Sequence, residues 1–363
     1  EIEAATVVSA YYENTSEFDA AEKFCGVMCT DPILPKKPVY GSNNWYYAYG
    51  RSSHEEILED ASYIAELSKG LANRPYMVID DGWQPNSIEG PWNKGNERFP
   101  DMKRLASEIA AMDVIPGIWI RFLYDMTLPE EWYLNGKKGY LDPSIPEVLL
   151  HVAEDTRRLV DWGYKLIKHD YSTFDLFGFW GVNMPYSMAA DGWNFADNSK
   201  TSAEIILDFY KVILENSGDA LILGCNCIGH LCAGLVHLNR TGDDTSGREW
   251  ERTRKMGINT LAFRLCQNNK FFAADADCVG ATKEVPWQLN REWLDILSKS
   301  GSPLFVSSKK GVVAPENIHE LKEAFKRSSV QQDVLKPVDW TYTTCPQKWN
   351  LNGEEIEYCW YEK

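Results

Sequence analysis

The sequence predicts an α/β fold: a (β/α)8 TIM barrel followed by a short C-terminal β element, the stub of a β-sandwich. Three observations carry this. Short apolar runs alternate with segments of helical period, the pattern of repeated βα units around a parallel sheet. Eight such runs follow one another between Val39 and Val306, the number a closed barrel needs. The first run ends in Gly41-Ser42-Asn43-Asn44-Trp45, without the glycine-rich phosphate loop that an open doubly wound sheet usually carries at that point. Three segments result: a lead-in and linker over 1–37, a barrel over 38–328 and a small β element over 329–363.

Taken in order, residues 18–28 have helical texture, and Asp31-Pro32-Ile33-Leu34-Pro35-Lys36-Lys37-Pro38 reads as an extended, proline-stiffened linker. Strands are expected over 39–43, 76–79, 114–120, 165–169, 220–224, 235–239, 270–273 and 303–306. Helices are expected over 53–71, 102–112, 145–162, 202–216, 248–268, 287–300 and 315–326. Ser52-Ser53-His54-Glu55 and Thr201-Ser202-Ala203-Glu204 have the form of capping boxes at helix starts, and Gly301 supplies a helix stop. In the tail, 338–344 alternates like a strand, and Leu351-Asn352-Gly353-Glu354 reads as a hairpin turn before a strand over 356–360.

Composition narrows the function. The chain has 363 residues, 44% hydrophobic and 25% charged, ordinary values for a globular protein. Its net charge of −16 argues against nucleic acid or an anionic membrane as partner, since both select a basic footprint. It suits a neutral substrate and a site rich in carboxylates. The 14 Trp and 18 Tyr pack cores and also offer apolar faces to sugar rings. Nine cysteines show no recurring CxxC with a histidine partner, so a zinc site is not expected, and their pairing stays open. No apolar run approaches the length of a membrane span. The chain begins at Glu1 without methionine or signal peptide, which leans toward export, secreted or periplasmic.

In a (β/α)8 barrel the chemistry sits at the C-terminal ends of the strands. There the sequence places Asn43-Asn44-Trp45, Asp80-Asp81-Gly82-Trp83, Trp119-Ile120-Arg121, Lys168-His169-Asp170, Cys225-Asn226-Cys227, Arg240-Thr241-Gly242-Asp243-Asp244, Asp275-Ala276-Asp277 and Ser307-Ser308. Alternation along the fourth strand puts Leu166, Lys168 and Asp170 on the inward face, leaving His169 to pack beneath a helix. An isolated strand-end aspartate reads as a helix cap. Acids at four strand ends, together with Trp, Arg, Lys and Asn, read instead as a carbohydrate site using two carboxylates. A divalent-metal site built from Asp80, Asp81, Asp275 and Asp277 is the competing reading; the lysine and arginine in the same ring work against it, and neither metal nor cofactor is expected. His54, His151 and His319 fall in helical stretches and read as surface or packing residues.

These motifs resemble those of the retaining α-galactosidase clan, glycoside hydrolase families 27 and 36. Ile79-Asp80-Asp81-Gly82-Trp83-Gln84, Lys168-His169-Asp170, Arg240-Thr241-Gly242-Asp243 and Asp275-Ala276-Asp277 are similar to the clan's strand 2, nucleophile, acid/base and strand 7 motifs, in that order along the chain. The resemblance implies a retaining hydrolase that releases terminal α-linked galactose, or a close relative, from oligosaccharides or glycoconjugates. It implies Asp170 as nucleophile and Asp243 as acid/base, with Asp244 the alternative. Asp80 and Asp81 would take the 4- and 6-hydroxyls, Trp45 would stack on the sugar, and Lys168 would bond the sugar and keep Asp170 ionised. Arg240, Asp277 and Asn226 would serve the 2- and 3-hydroxyl side. The alternatives are a transglycosylase of raffinose-synthase type, an α-N-acetylgalactosaminidase, or a non-catalytic carbohydrate-binding barrel. The sequence departs from the clan at Gly41-Ser42-Asn43-Asn44 and at Cys225-Asn226-Cys227-Ile228-Gly229, and carries only a stub of the clan's C-terminal β-sandwich.

Overall fold

The structure, a computed structural model, describes residues 6–179 and 192–361. Residues 1–5 of the lead-in and 362–363 of the tail, both inside the expected segments, lie outside the described residues. The barrel strands are β1 (Tyr40–Asn43), β2 (Tyr76–Ile79), β3 (Ile115–Ile120), β4 (Leu166–His169), β5 (Leu221–Gly224), β6 (Leu238–Arg240), β7 (Ala273–Asp275), β8 (Cys278–Gly280) and β9 (Leu304–Ser307). Strand order is β7-β6-β5-β4-β3-β2-β1-β9-β8, and every pair is parallel. The ring closes through an interruption. β7 bonds β6 and β8 bonds β9, and only Ala276 and Asp277 separate β7 from β8 in the chain. The two segments share the seventh barrel position, and Asp277, at φ 73°, makes the break.

Side-chain alternation sorts the residues into two cores. Val39, Val78, Leu166, Leu223, Leu238, Ala273 and Phe305 belong to the cluster that fills the barrel interior. Outward-facing strand residues such as Ile79, Ile118, Ile167 and Ile222 pack with the surrounding helices in a much larger cluster. His169 takes its expected place in that outer layer, fully buried against Phe122, Phe209 and Tyr210. The same parity carries Lys168 and Arg240 inward, one layer above Leu166 and Leu238.

The helices form where apolar residues recur at helical spacing, with caps at their starts. His54–Leu67 is capped by Ser53, whose Oγ accepts the Glu56 N–H, so the N-cap is Ser53 rather than Ser52. Ser202–Asn216 begins with the full capping box of Thr201 and Glu204. The expected helix over 248–268 is instead four short pieces: Trp250–Thr253, a π-helical stretch Arg254–Asn259, Thr260–Arg264 and a 3-10 turn Leu265–Gln267. Hydrophobic spacing of 3–4 residues does not distinguish these windings, and π-bulges concentrate at functional sites. The sixth and seventh strands lie C-terminal to the positions expected from apolar runs, because 229–232 forms a short helix and Phe271 and Phe272 pack in the outer layer.

In the tail, 338–344 is turn rather than strand. Asp339 draws the backbone together by accepting the N–H groups of Gln347 and Lys348. A three-stranded antiparallel sheet forms from β10 (Lys336–Pro337), β11 (Lys348–Leu351) and β12 (Glu354–Glu357). Asn352 and Gly353 join β11 to β12 with φ of 53° and 92°, the geometry of a two-residue primed hairpin turn. All nine cysteines are free thiols. Among the described residues no helix is long and apolar enough to cross a membrane.

Candidate active site

A cavity of about 430 Å³ opens at the C-terminal ends of the strands. Trp45, Asp80, Asp81, Lys168, Asp170, Asn226, Arg240, Asp243 and Asp244 all line it. Eight of the nine residues expected in the site, and the alternative acid, therefore meet in one place. The exception is Asp277. It is buried behind Arg240 and faces a small void of about 10 Å³ below the cavity, shared with Asn43, Lys168, Arg240 and Asp275.

Asp170 follows β4, and its backbone N–H still bonds the Ile120 carbonyl across the sheet. Its Oδ2 accepts the Trp119 indole N–H at 3.1 Å, and its Oδ1 accepts the Tyr171 N–H at 2.6 Å. Tyr171 itself is left-handed, with φ 64°. Both donors aim at a carboxylate and fix its rotamer.

Beneath it, Lys168 Nζ reaches Asp80 Oδ2 at 2.7 Å. Burial works against the ammonium charge, but Asp80, with help from Asp170, outweighs it and holds the Lys168 pKa well above the ordinary lysine range. Asp80 is itself clamped. Asn43 Nδ2 donates to its Oδ2 at 2.7 Å, its backbone N–H goes to Asn44 Oδ1, and its Oδ1 takes the Asp81 N–H. Asn43 Oδ1 also accepts the Trp45 N–H. The asparagines that depart from the family pattern thus orient both Asp80 and Trp45. Asp81 is held by the Gln84 amide, the Ile88 N–H and the Ser87 hydroxyl. Burial raises its pKa, and the Gln84 bond partly opposes the shift.

Across the cavity, Arg240 is enclosed by acids: Asp277 Oδ1 at 2.8 Å, Asp244 Oδ1 at 3.2 Å and Asp275 Oδ2 at 3.4 Å. Asp277 also accepts from the Tyr46 hydroxyl and from the Thr245 N–H and hydroxyl. Burial alone would raise the Asp277 pKa, yet Arg240, Lys168 and these donors bring it below the ordinary carboxylate range. Asp277 is therefore a fixed anion that orients Arg240 from below.

The two adjacent acids differ in their surroundings. Asp243 pairs with Arg252 at 3.2 Å, and its Oδ1 accepts the Asp244 N–H. Both side chains are 39% exposed, but Asp244 pairs with Arg240, which Asp275 and Asp277 share. Desolvation by the walls pushes Asp244 up to about 6 against the pull of Arg240, and Asp277 and Asp170 add to the rise. Asp244 does not cap the following helix, because Ser246 Oγ takes the Arg248 and Glu249 N–H groups instead.

Asn226 spends most of its acceptor capacity on the chain. Its Oδ1 takes the Phe174 N–H and its carbonyl takes the Thr173 N–H and hydroxyl, which ties the β5 loop to the helix Ser172–Phe177. Its amide Nδ2 is the group left to face a ligand. Trp119, which the sequence puts at the end of the third strand without a role, and Tyr171, which it does not single out, line the cavity beside Asp170. The available signal was parity, since Trp119 lies directly opposite Lys168 in the sheet register. Three of the four acids of the competing metal reading are divided between two cations, Asp80 beside Lys168 and Asp275 with Asp277 around Arg240, and the fourth, Asp81, is held by Gln84, Ser87 and the Ile88 N–H. Among the described residues no group of three or more His, Cys, Asp or Glu is placed to hold a metal ion.

Solved structures share this architecture. An α-galactosidase from Thermus thermophilus, determined with p-nitrophenyl α-D-galactopyranoside, matches at a TM-score of 0.72 and 19% identity, over 95% of this chain and 71% of that one. α-Galactosidase I from Mortierella vinacea matches at 0.59 and 16%, over 87% and 79%. A family 27 β-L-arabinopyranosidase from Geobacillus stearothermophilus matches at 0.60 and 16%, over 86% and 80%. The chain has the fold of the α-galactosidase clan. At these identities the likeness is one of fold, and the three enzymes are named for two different sugars, galactose and arabinopyranose. Neither protein-family models nor curated proteins give any match to the chain.

Proposed function

We propose that the chain is a retaining glycoside hydrolase that removes terminal α-linked galactose, or a closely related sugar, from oligosaccharides or glycoconjugates. The observation that carries this is the pairing of two unlike carboxyls on one cavity. Asp170 is fixed by Trp119 and Tyr171 as an acceptor, and Asp244 is pushed up to about 6 by desolvation. Two carboxyls whose environments drive them apart suit a nucleophile and a proton donor.

In the first step Asp170 attacks the anomeric carbon, and the glycosidic C–O bond breaks as the leaving oxygen takes a proton from Asp244. In the second, Asp244 accepts a proton from water, whose oxygen displaces Asp170 from the sugar. The two inversions retain configuration. We take Asp244 rather than Asp243, the residue expected from the motif, as this acid/base, because Arg252 is the ion-pair partner of Asp243, whereas the Arg240 beside Asp244 is shared with Asp275 and Asp277 and desolvation still pushes Asp244 up to about 6. Lys168 and Asp80 form the base of the sugar pocket, Trp45 offers a ring face, Asp81 accepts from hydroxyls, and Arg240 and Asn226 donate on the opposite side. Asp277 acts through Arg240.

The test is mass spectrometry after incubation with a panel of sugar-derived covalent inactivators. A galactose-type adduct on Asp170 establishes reaction class, nucleophile and sugar together. Labelling elsewhere, or none with any sugar while Asp170→Asn stays as active as the wild type, overturns the reading.

A further inference from the structure

Arg121 stands at the end of β3 and does not line the cavity, yet it touches both sides of it. Its guanidinium is buried. Nε donates to both Asp175 oxygens at 3.0 Å. The Tyr124 and Tyr171 rings lie 4.1 Å and 4.3 Å from Cζ. Nη1 donates to the Ile88 carbonyl at 3.1 Å. Two of these contacts end on residues in unusual backbone states: Tyr171 has φ 64° and Ile88 has φ 51°. A left-handed β-branched residue is a true outlier, and such strain persists only where surrounding structure enforces it.

Both residues line the cavity, and each gives its backbone N–H to a site carboxylate. Tyr171 donates to Asp170 at 2.6 Å and Ile88 to Asp81 at 3.0 Å. Asp175 lies on the short helix that Tyr171 begins, and its N–H returns to the Tyr171 carbonyl. The contacts therefore join into one unit running from Asp170 through Tyr171, Arg121 and Ile88 to Asp81.

We propose that Arg121 is a positioning residue. With Asp175 and Tyr124 it holds Tyr171 and Ile88 in their left-handed conformations, and thereby sets the carboxylate that attacks and the carboxylate that grips the sugar in fixed relation to each other. This rests on the hydrolase reading for what the two carboxylates do, and on geometry alone for how they are held. A lysine cannot replace it, because the role needs a planar fork that bonds a carboxylate while stacked between two rings.

The experiment compares the wild type with Arg121→Lys and with the double variant Arg121→Met/Asp175→Leu, which leaves no unpaired buried charge. Turnover of p-nitrophenyl α-galactoside, the rate of covalent labelling of Asp170 and thermal melting are measured on each. Displacing a reacting group by about 1 Å costs on the order of 100-fold in rate. The double variant should thus stay folded while kcat and the labelling rate fall on the order of 100-fold. Arg121→Lys should fall at least ~10-fold. A folded variant of either kind with wild-type kcat and labelling rate overturns the proposal, since a merely structural role changes melting alone. If neither variant folds, Tyr124→Leu, which removes one stacking face, decides it: a fall of ~10-fold supports the proposal and an unchanged kcat overturns it. If the wild type neither turns over nor is labelled, the hydrolase reading fails. The positioning claim is then decided by a crystal structure of Arg121→Lys, or of Tyr124→Leu should the former not fold. Loss of positive φ at Tyr171 or Ile88 supports it, and retention at both overturns it.

Discussion

Asp243 and Asp244 are neighbours in sequence with different surroundings, and no pattern of residue types separates them. Only the fold shows Arg252 paired with one, and the desolvating cavity walls and an Arg240 shared with Asp275 and Asp277 around the other. The consequence is measurable. A general acid must be protonated when the leaving group departs. With Asp244 raised to about 6, its protonated fraction is high below that pH and falls above it, so kcat/KM should decline as pH rises through about 6. Asp244→Asn should lower kcat/KM for substrates with poor leaving groups by ~10²–10⁴-fold and abolish this basic limb. Asp243→Asn should keep the limb and remain within ~10-fold of wild type, the margin expected for an exposed ion pair. A pH–rate profile of the two variants decides it; the reverse pattern would return the role to Asp243. Asp277 shows the same limit of sequence in another form. Its type and position marked it for the site, but its left-handed backbone turns the carboxylate under Arg240 rather than toward a ligand.

At the scale of elements, legibility followed the strength of the local signal. β2 begins and ends where expected because its apolar run is bounded by Pro75 and by Asp80-Asp81-Gly82. The seventh strand was displaced because Phe271 and Phe272, its most apolar residues, serve the helix layer instead. The strand itself is made of Ala273-Ala274-Asp275 and Cys278-Val279-Gly280, split by a residue whose φ no hydrophobicity pattern encodes. β1 makes a sharper case. Gly41 has φ 153°, and a Cβ built on it would lie 1.9 Å from the Tyr76 carbonyl oxygen. It stands opposite Tyr76 in the β1–β2 register, so the clash falls on a ladder at the heart of the barrel. Gly41→Ala should destabilise by roughly 3 kcal/mol or more, at the upper end for a single added methyl, because backbone rather than a mobile side chain must give way. Thermal melting of this variant checks it. A loss below about 1 kcal/mol would mean that β1 can shift freely against β2.

For the molecule as a whole, the barrel was legible because eight weak signals in order constrain one another, and the site because that topology gathers strand ends on one rim. The relation of the C-terminal element to the rest was not. It reads as an appended unit, yet Leu335, Cys345, Trp349, Tyr358 and Trp360 belong to the same continuous core as the barrel's outer layer. Its contacts fall on two segments. On the one that follows the site loop of β6, the Trp250 indole donates to the Trp360 carbonyl at 2.7 Å and Arg254 lies over the Tyr361 ring; on the helix Trp287–Lys299, Asp295 accepts from the Tyr358 hydroxyl. Trp250 begins the first helical turn after the loop that carries Asp244 and Ser246. The C-terminal element, through the residues that follow its last strand, therefore buttresses the segment next to the loop that carries Asp244. Trp360 is fully buried, and its own indole bonds the Pro346 carbonyl at 2.6 Å. Trp360→Ala should cost on the order of 3–5 kcal/mol of stability. The loss should appear as one cooperative transition at lower temperature, because no separate core exists for the sheet to melt alone. In the surviving folded protein, kcat/KM for poor leaving groups should fall more than for activated ones, since only the former depend on Asp244 being in place. Melting curves together with the ratio of the two substrates test both parts. Two resolved transitions, or an unchanged ratio, would make the C-terminal sheet an independent appendage.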